Sequence, residues 1–137
     1  YSNLKLSSTT FKGKLIVTVD ITNTGTVAGK EVVQLYLSAP NGLLDKPVHE
    51  LKAFGKTGLL QPGQTEKMQF VLQAKDLASF SSATTAWVAA AGNYTVKAGA
   101  SSIDIKQTAG FTVAKELVVE SCNKVLAPQM TINELKR

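Results

Sequence analysis

Apolar residues recur at every second position through most of this chain, a spacing that belongs to strands and is incompatible with amphipathic helices. Leu15, Val17, Val19 and Ile21 fall on one side of an extended segment, with Thr18, Asp20 and Thr22 on the other. Residues 14–22 therefore predict a half-buried strand. Residues 31–38 follow suit, with Val33, Leu35 and Leu37 opposite Val32, Gln34 and Tyr36; both sides are rather apolar, as in a central strand. Met68, Phe70 and Leu72 continue the pattern, as do Tyr94, Val96 and Ala98, and then Ile103 and Ile105 leading to Phe111 and Val113. Turn-forming sequences separate these runs: N-T-G at 23–25, A-P-N-G at 39–42, Q-P-G-Q at 61–64 and A-G-N at 91–93. A 3.6-residue period is never sustained, and the best helical candidate is Ala74–Phe80, two turns at most. Strands separated in this way predict an all-β sandwich.

At 137 residues the chain suffices for one domain with a real core and needs no disulfide or metal to hold it. Its 44% hydrophobic and 18% charged content is that of a globular domain somewhat poor in charge. The net charge of +5 comes from lysines scattered between Lys5 and Lys136, with neither a basic run nor interleaved aromatics. Nucleic acid is therefore not an expected partner, since that affinity needs clustered charge. Scattered lysine fits solubility and protection of sheet edges. Cys122 is the single cysteine, which excludes an internal disulfide and a thiolate metal site. Apolar runs all fall short of ~18 residues, so a membrane span is not expected. Opening on Tyr1 with neither an initiating methionine nor a signal-peptide pattern, the sequence reads as a piece of a longer protein.

The stretch G-T-V-A-G-K-E, residues 25–31, superficially resembles a phosphate-binding loop. Its glycines are three residues apart rather than four, and Glu31 stands where a magnesium-holding hydroxyl belongs. A β-branched run follows it in place of a helix whose amides would face an anion. It reads as a sandwich corner. Asn23 and Gly25 are expected to supply unusual backbone angles, Val27 to dip toward the core, and Gly29 to turn the chain back into a strand on the opposite sheet.

Candidates for chemistry are sparse. His49 is the only histidine and lies in the loop-like P-V-H-E, so it is expected as an exposed loop residue that cannot make a multi-histidine metal site. The serines lack a G-x-S-x-G frame. Glu31, Glu50, Glu66, Asp76 and Asp104 have the right type for a glycosidase pair, yet each has a neighbourhood that suits capping or solvation. Trp87 and Tyr94 could stack a sugar, but Tyr94 is in phase with Val96 and Ala98, and core packing is the expectation for both. Asn93-Tyr94-Thr95 matches a glycosylation acceptor pattern that is common by chance. The residues thus nominate no catalytic, cofactor-binding or metal-ligating group.

The turn signals together resemble one known module: N-T-G (23–25), A-G-K-E-V-V-Q-L-Y-L (28–37), P-V-H-E-L-K-A-F (47–54), L-Q-P-G-Q (60–64), D-L (76–77), Trp87, G-N-Y-T-V (92–96) and G-A-S-S-I-D-I (99–105). In this order they resemble the fibronectin type III-like domain of family 3 glycoside hydrolases, the β-glucosidases and β-xylosidases. Two departures are Ala53, where the family usually has glycine, and Ser81, where an acidic residue commonly follows the aromatic. The resemblance covers residues 1–113 and implies a fibronectin type III/immunoglobulin-like sandwich of about seven strands in two sheets with Greek-key connections, leaving 114–137 as a C-terminal extension. In that extension Leu117–Val119 could prolong the last strand, Pro128 breaks the pattern, and Thr131 and Glu134 have capping-box spacing with too few residues for a stable helix.

What the resemblance implies is a non-catalytic accessory domain without cofactors, part of a periplasmic or secreted parent. The family's nucleophile lies in a TIM barrel and its acid/base typically in an α/β sandwich domain; these would be its partners in the same chain. The connection Ser38–Phe54 is the expected interface, with Leu43, Leu44, Val48 and Phe54 as apolar contacts. Independently, the apolar residues of L-L-D-K-P-V-H-E and of the tail (Val125, Leu126, Met130, Ile132) are hard for an isolated sandwich to bury, which points to a partner surface. The alternatives are a carbohydrate- or polymer-binding module, and a generic adhesion or spacer domain.

Overall fold

The alternating runs become strands almost residue for residue in a computed structural model that describes residues 1–41, 44, 46–125, 128, 130 and 132. The strands are β1 (Ser2–Leu6), β2 (Lys14–Thr22), β3 (Val32–Ser38), β4 (Glu50–Lys56), β5 (Thr65–Gln73), β6 (Ser79–Ser81), β7 (Ala86–Ala89), β8 (Gly92–Ser101), β9 (Asp104–Val113) and β10 (Leu117–Ser121). One helical turn, α1 (Ala74–Leu77), separates β5 from β6. A three-stranded sheet, β1-β2-β5, faces a four-stranded sheet, β4-β3-β8-β9, and this is the expected sandwich. The remaining strands form a third small sheet, β10-β7-β6, that the sequence does not announce.

The inward residues are those in phase. Leu15, Val17, Val19 and Ile21 of β2 and Phe70 and Leu72 of β5 meet Val33, Leu35 and Leu37 of β3 and Tyr94, Val96 and Ala98 of β8 in one buried cluster. Each large side chain fully removed from water contributes about 1.5–3 kcal/mol. Tyr94 stacks on Phe111 with ring centroids 5.3 Å apart and donates its hydroxyl to the Ala90 carbonyl at 2.9 Å, so its polar end is satisfied. Between β8 and β9 the register slips at Gly99, where a Cβ would stand 2.2 Å from the Asp104 carbonyl oxygen. Only glycine fits that bulge.

The corner between β2 and β3 does cross from one sheet to the other, but not in the expected way. Neither Asn23 nor Gly25 has a positive φ. Asn23 works through its side chain instead: Nδ2 donates to the Val27 and Leu60 carbonyls at 2.9 and 2.8 Å, and Oδ1 accepts from the Gly25 amide at 2.9 Å. Gly29 is held by a bridge to Leu60, its amide donating at 3.1 Å and its carbonyl accepting at 2.8 Å. Val27 is 77% exposed and does not enter the core; the Asn23 bond to its carbonyl holds this part of the loop.

The helical candidate is shorter than Ala74–Phe80. Its first turn is capped by Asp76, whose Oδ2 accepts from the Gln73 amide at 2.7 Å, and Ala78 is already extended. Ser79–Ser81 then pairs with β7, and β7 pairs on its other side with β10. Alternation in β7 turns Ala86 and Val88 inward and leaves Trp87 43% exposed, correcting its expected place in the core. Leu117–Ser121 accordingly lies against β7, and the Cys122 amide closes this sheet on the Thr85 carbonyl at 2.8 Å.

Candidate functional site

A departure from regular pairing lies along β4, one edge strand of the four-stranded sheet. Gln34 of β3 pairs with Phe54, and Leu35 with Ala53, but Tyr36 pairs with Leu51. Lys52 is thus an extra residue on β4, a bulge. Gln34 and Tyr36 share the outer face of the sheet, so their partners Phe54 and Leu51 share it too, although they are an odd number of positions apart. Phe54 is 73% exposed and Leu51 50%, and Val48 just before the strand is 80% exposed. Three apolar side chains therefore stand outward on one edge and the segment leading into it.

That segment is tied down. Ser38 Oγ donates to the Val48 carbonyl at 2.6 Å, joining the end of β3 to the approach to β4. His49 is not an exposed loop residue: its ring packs edge-on against Tyr36, centroids 5.1 Å apart, and its Nδ1 is shielded from water without a hydrogen-bond partner. This contact buries Tyr36 on the outer face of the sheet, away from the core, with its hydroxyl bonded to Gln34 Oε1. Glu50 pairs with Lys52. Upstream, the Lys46 Nζ is also shielded and unpartnered, and burial holds its pKa below the usual lysine value, against a smaller opposing pull from Glu50.

Of the expected interface residues, Val48 and Phe54 are on this face, and Leu44 is half-buried in the wall of a neighbouring cavity. Leu43 lies outside the described residues, as do Leu126, Thr131 and Glu134. Leu51 was not legible in the sequence, because strict alternation would place it opposite Phe54. In the C-terminal extension Val125, Met130 and Ile132 are exposed.

Other candidates are absorbed by the scaffold. Glu31 accepts from the Val32 amide at 2.7 Å, Glu66 from the Gly58 amide at 2.9 Å, and Asp104 pairs with Lys106 at 2.6 Å. With Asp76 capping α1 and Glu50 paired to Lys52, each candidate acid has a local structural task. Among the described residues there is no cluster of metal-ligating side chains. Trp87 meets Phe80 at 64°, so this exposed aromatic pair is not the coplanar platform that sugar stacking needs. No helix of the described residues is long and apolar enough to cross a membrane.

The chain matches the fibronectin type III-like domain family over residues 31–102. It is 34% identical over 128 residues to a β-glucosidase of Ruminococcus albus, and 40% identical over 122 residues to one of Kluyveromyces marxianus. These alignments cover 90% and 85% of this chain but only 14% of either enzyme. Among solved structures, β-glucosidase 3B of Thermotoga neapolitana in complex with glucose superposes with a TM-score of 0.81 at 46% identity, covering 87% of this chain and 16% of that one. The β-glucosidase of Kluyveromyces marxianus in complex with glucose gives 0.77 at 38% identity. Two facing sheets of three and four strands, and relatives that contain this stretch as a small part of their length, lead to one assignment. The chain belongs to the fibronectin type III-like domain family, in the form carried by family 3 glycoside hydrolases.

Proposed function

We propose that this chain is a non-catalytic structural domain of a larger family 3 glycoside hydrolase, packing against the catalytic domains of the same polypeptide. The observation that carries this reading is the β4 face. Val48, Leu51 and Phe54 stand exposed beside shielded polar atoms of Lys46 and His49 that the domain leaves unbonded. Exposed apolar groups next to unsatisfied buried polar ones are what a domain surface looks like when its partner is absent. The catalytic domains, a TIM barrel and an α/β sandwich domain by family resemblance, are the proposed occupants, and the apolar residues of the C-terminal extension are proposed to dock on them as well. The parent's reaction, hydrolysis of O-glycosyl bonds, is proposed from its β-glucosidase relatives.

Two measurements test this. The isolated chain is expected to hydrolyse no aryl β-glucoside; turnover abolished by a single carboxylate substitution would falsify the non-catalytic reading. Hydrogen exchange of the β4 amides is expected to slow in the full polypeptide relative to the isolated chain. Equal exchange in both would remove the docking reading.

A further inference from the structure

The Lys46 ammonium is the one shielded cation among the described residues with no hydrogen-bond partner. It lines a cavity of about 570 Å³ between the segment after β3 and the turn joining β6 to β7. Pro40, Leu44, Val88 and Ala91 make much of the cavity apolar, and Ser81–Thr84 close one side. Among the described residues two carboxylates are near. Glu50 is held by Lys52, and Glu116 lines the same cavity yet makes no ion pair with Lys46. Burial disfavours the ammonium most; Glu50 opposes this, and Lys52 adds a smaller like-charge effect. A shielded ammonium that makes no hydrogen bond, and feels among the described residues only the pull of a Glu50 already held by Lys52, calls for a further carboxylate.

The cavity volume exceeds what one carboxylate fills and lies in the range of sites that take a several-residue or ligand-sized group. Apolar walls around a single cation fit an apolar side chain flanked by an acid. A neutral sugar would offer hydroxyl acceptors but no counter-charge. The position of Lys46, two residues before Val48, makes the cavity continuous in sequence with the β4 face, and most of the length of the relatives lies outside this chain. We propose that the Lys46 cavity receives an Asp or Glu side chain, flanked by an apolar residue, from the remainder of the same polypeptide. This rests on the docking reading above and adds the contact that fixes its register.

The test uses the full polypeptide and the 137-residue chain side by side. A zero-length carbodiimide coupling, read by peptide mass spectrometry, is expected to join Lys46 to an acid outside residues 1–137. Joining to an acid within residues 1–137, such as Asp45, Glu50 or Glu116, overturns the proposal. Reductive methylation of Lys46 is expected to be at least about tenfold slower in the full polypeptide, equivalent to one tenfold step in an equilibrium. Protection of the β4 amides with no protection of Lys46 would leave docking standing and remove this contact; protection of neither would remove both. Lys46→Met, which keeps the apolar stem, is expected to leave the isolated chain at least as stable. It should weaken association with a separately expressed remainder by about 30-fold or more. A destabilised isolated chain would mean that Lys46 has an internal partner, which also overturns the proposal.

Discussion

Phe54 separates a docking face from a merely irregular surface, because the two make opposite demands on one substitution. Its ring is 73% exposed in the isolated domain, so its removal takes little from folding. A fully buried phenylalanine contributes up to about 3 kcal/mol, and burying the exposed part on a partner recovers about 1–2 kcal/mol. Phe54→Thr keeps strand propensity on β4 while removing that area. Urea denaturation of the isolated chain should then show a change within about 0.5 kcal/mol, as for other exposed positions. Titration calorimetry against the remainder of the parent, expressed separately, should show affinity falling by about 5- to 30-fold. A loss above 1 kcal/mol or so in the isolated chain would place Phe54 inside the domain's own packing. Unchanged affinity would take the β4 edge out of the interface and refute the reasoning.

Asn23→Ala removes three side-chain bonds to backbone at the sandwich corner and should cost about 2 kcal/mol in denaturant, whereas Asn23→Asp, which keeps the acceptor to Gly25, should cost less. Equal effects of the two would mean that the acceptor bond to the Gly25 amide contributes nothing. Gly99→Ala drives a Cβ into the Asp104 carbonyl and should destabilise by roughly 2–3 kcal/mol, read as a shift in the thermal midpoint. Trp87 is the only tryptophan, and acrylamide should quench its fluorescence readily in the native chain; native shielding would restore it to the core. The Tyr1 hydroxyl is pushed up to about 12 by burial, and secondarily by Glu31 and Asp104. The folded chain keeps a proton that the unfolded chain loses near 10, so its contribution is complete below pH 10 and lost as pH rises toward 12. Tyr1→Phe should flatten that decline in stability, and an unchanged slope would refute the assignment.

The two facing sheets were legible because alternation is a property of consecutive residues. Leu15 to Ile21 and Tyr94 to Ala98 carry their burial in their spacing, and nothing distant has to be known to place them. What failed were features that depend on a partner strand. Leu51 joins Phe54 only because Lys52 is looped out against β3, and a bulge has no period of its own. Trp87 has the size of a core residue, yet its orientation follows from a third sheet that is completed by β10, distant in sequence from β6 and β7. Asn23 sits at the expected corner but acts through its side chain, since backbone angle and side-chain bonding select the same residue types at turns. His49 was read from its loop-like neighbours, and only the fold brings Tyr36 beneath it.

The pairing of β10 with β7 also orders events in time. β7 needs a neighbour that lies beyond the whole β8–β9 hairpin, so during synthesis the two facing sheets can assemble before the small third sheet is complete. Until residues 117–121 leave the ribosome, β7 carries an open edge, with Trp87 and Phe80 exposed beside it. A nascent chain paused within that interval would be the form most in need of a chaperone.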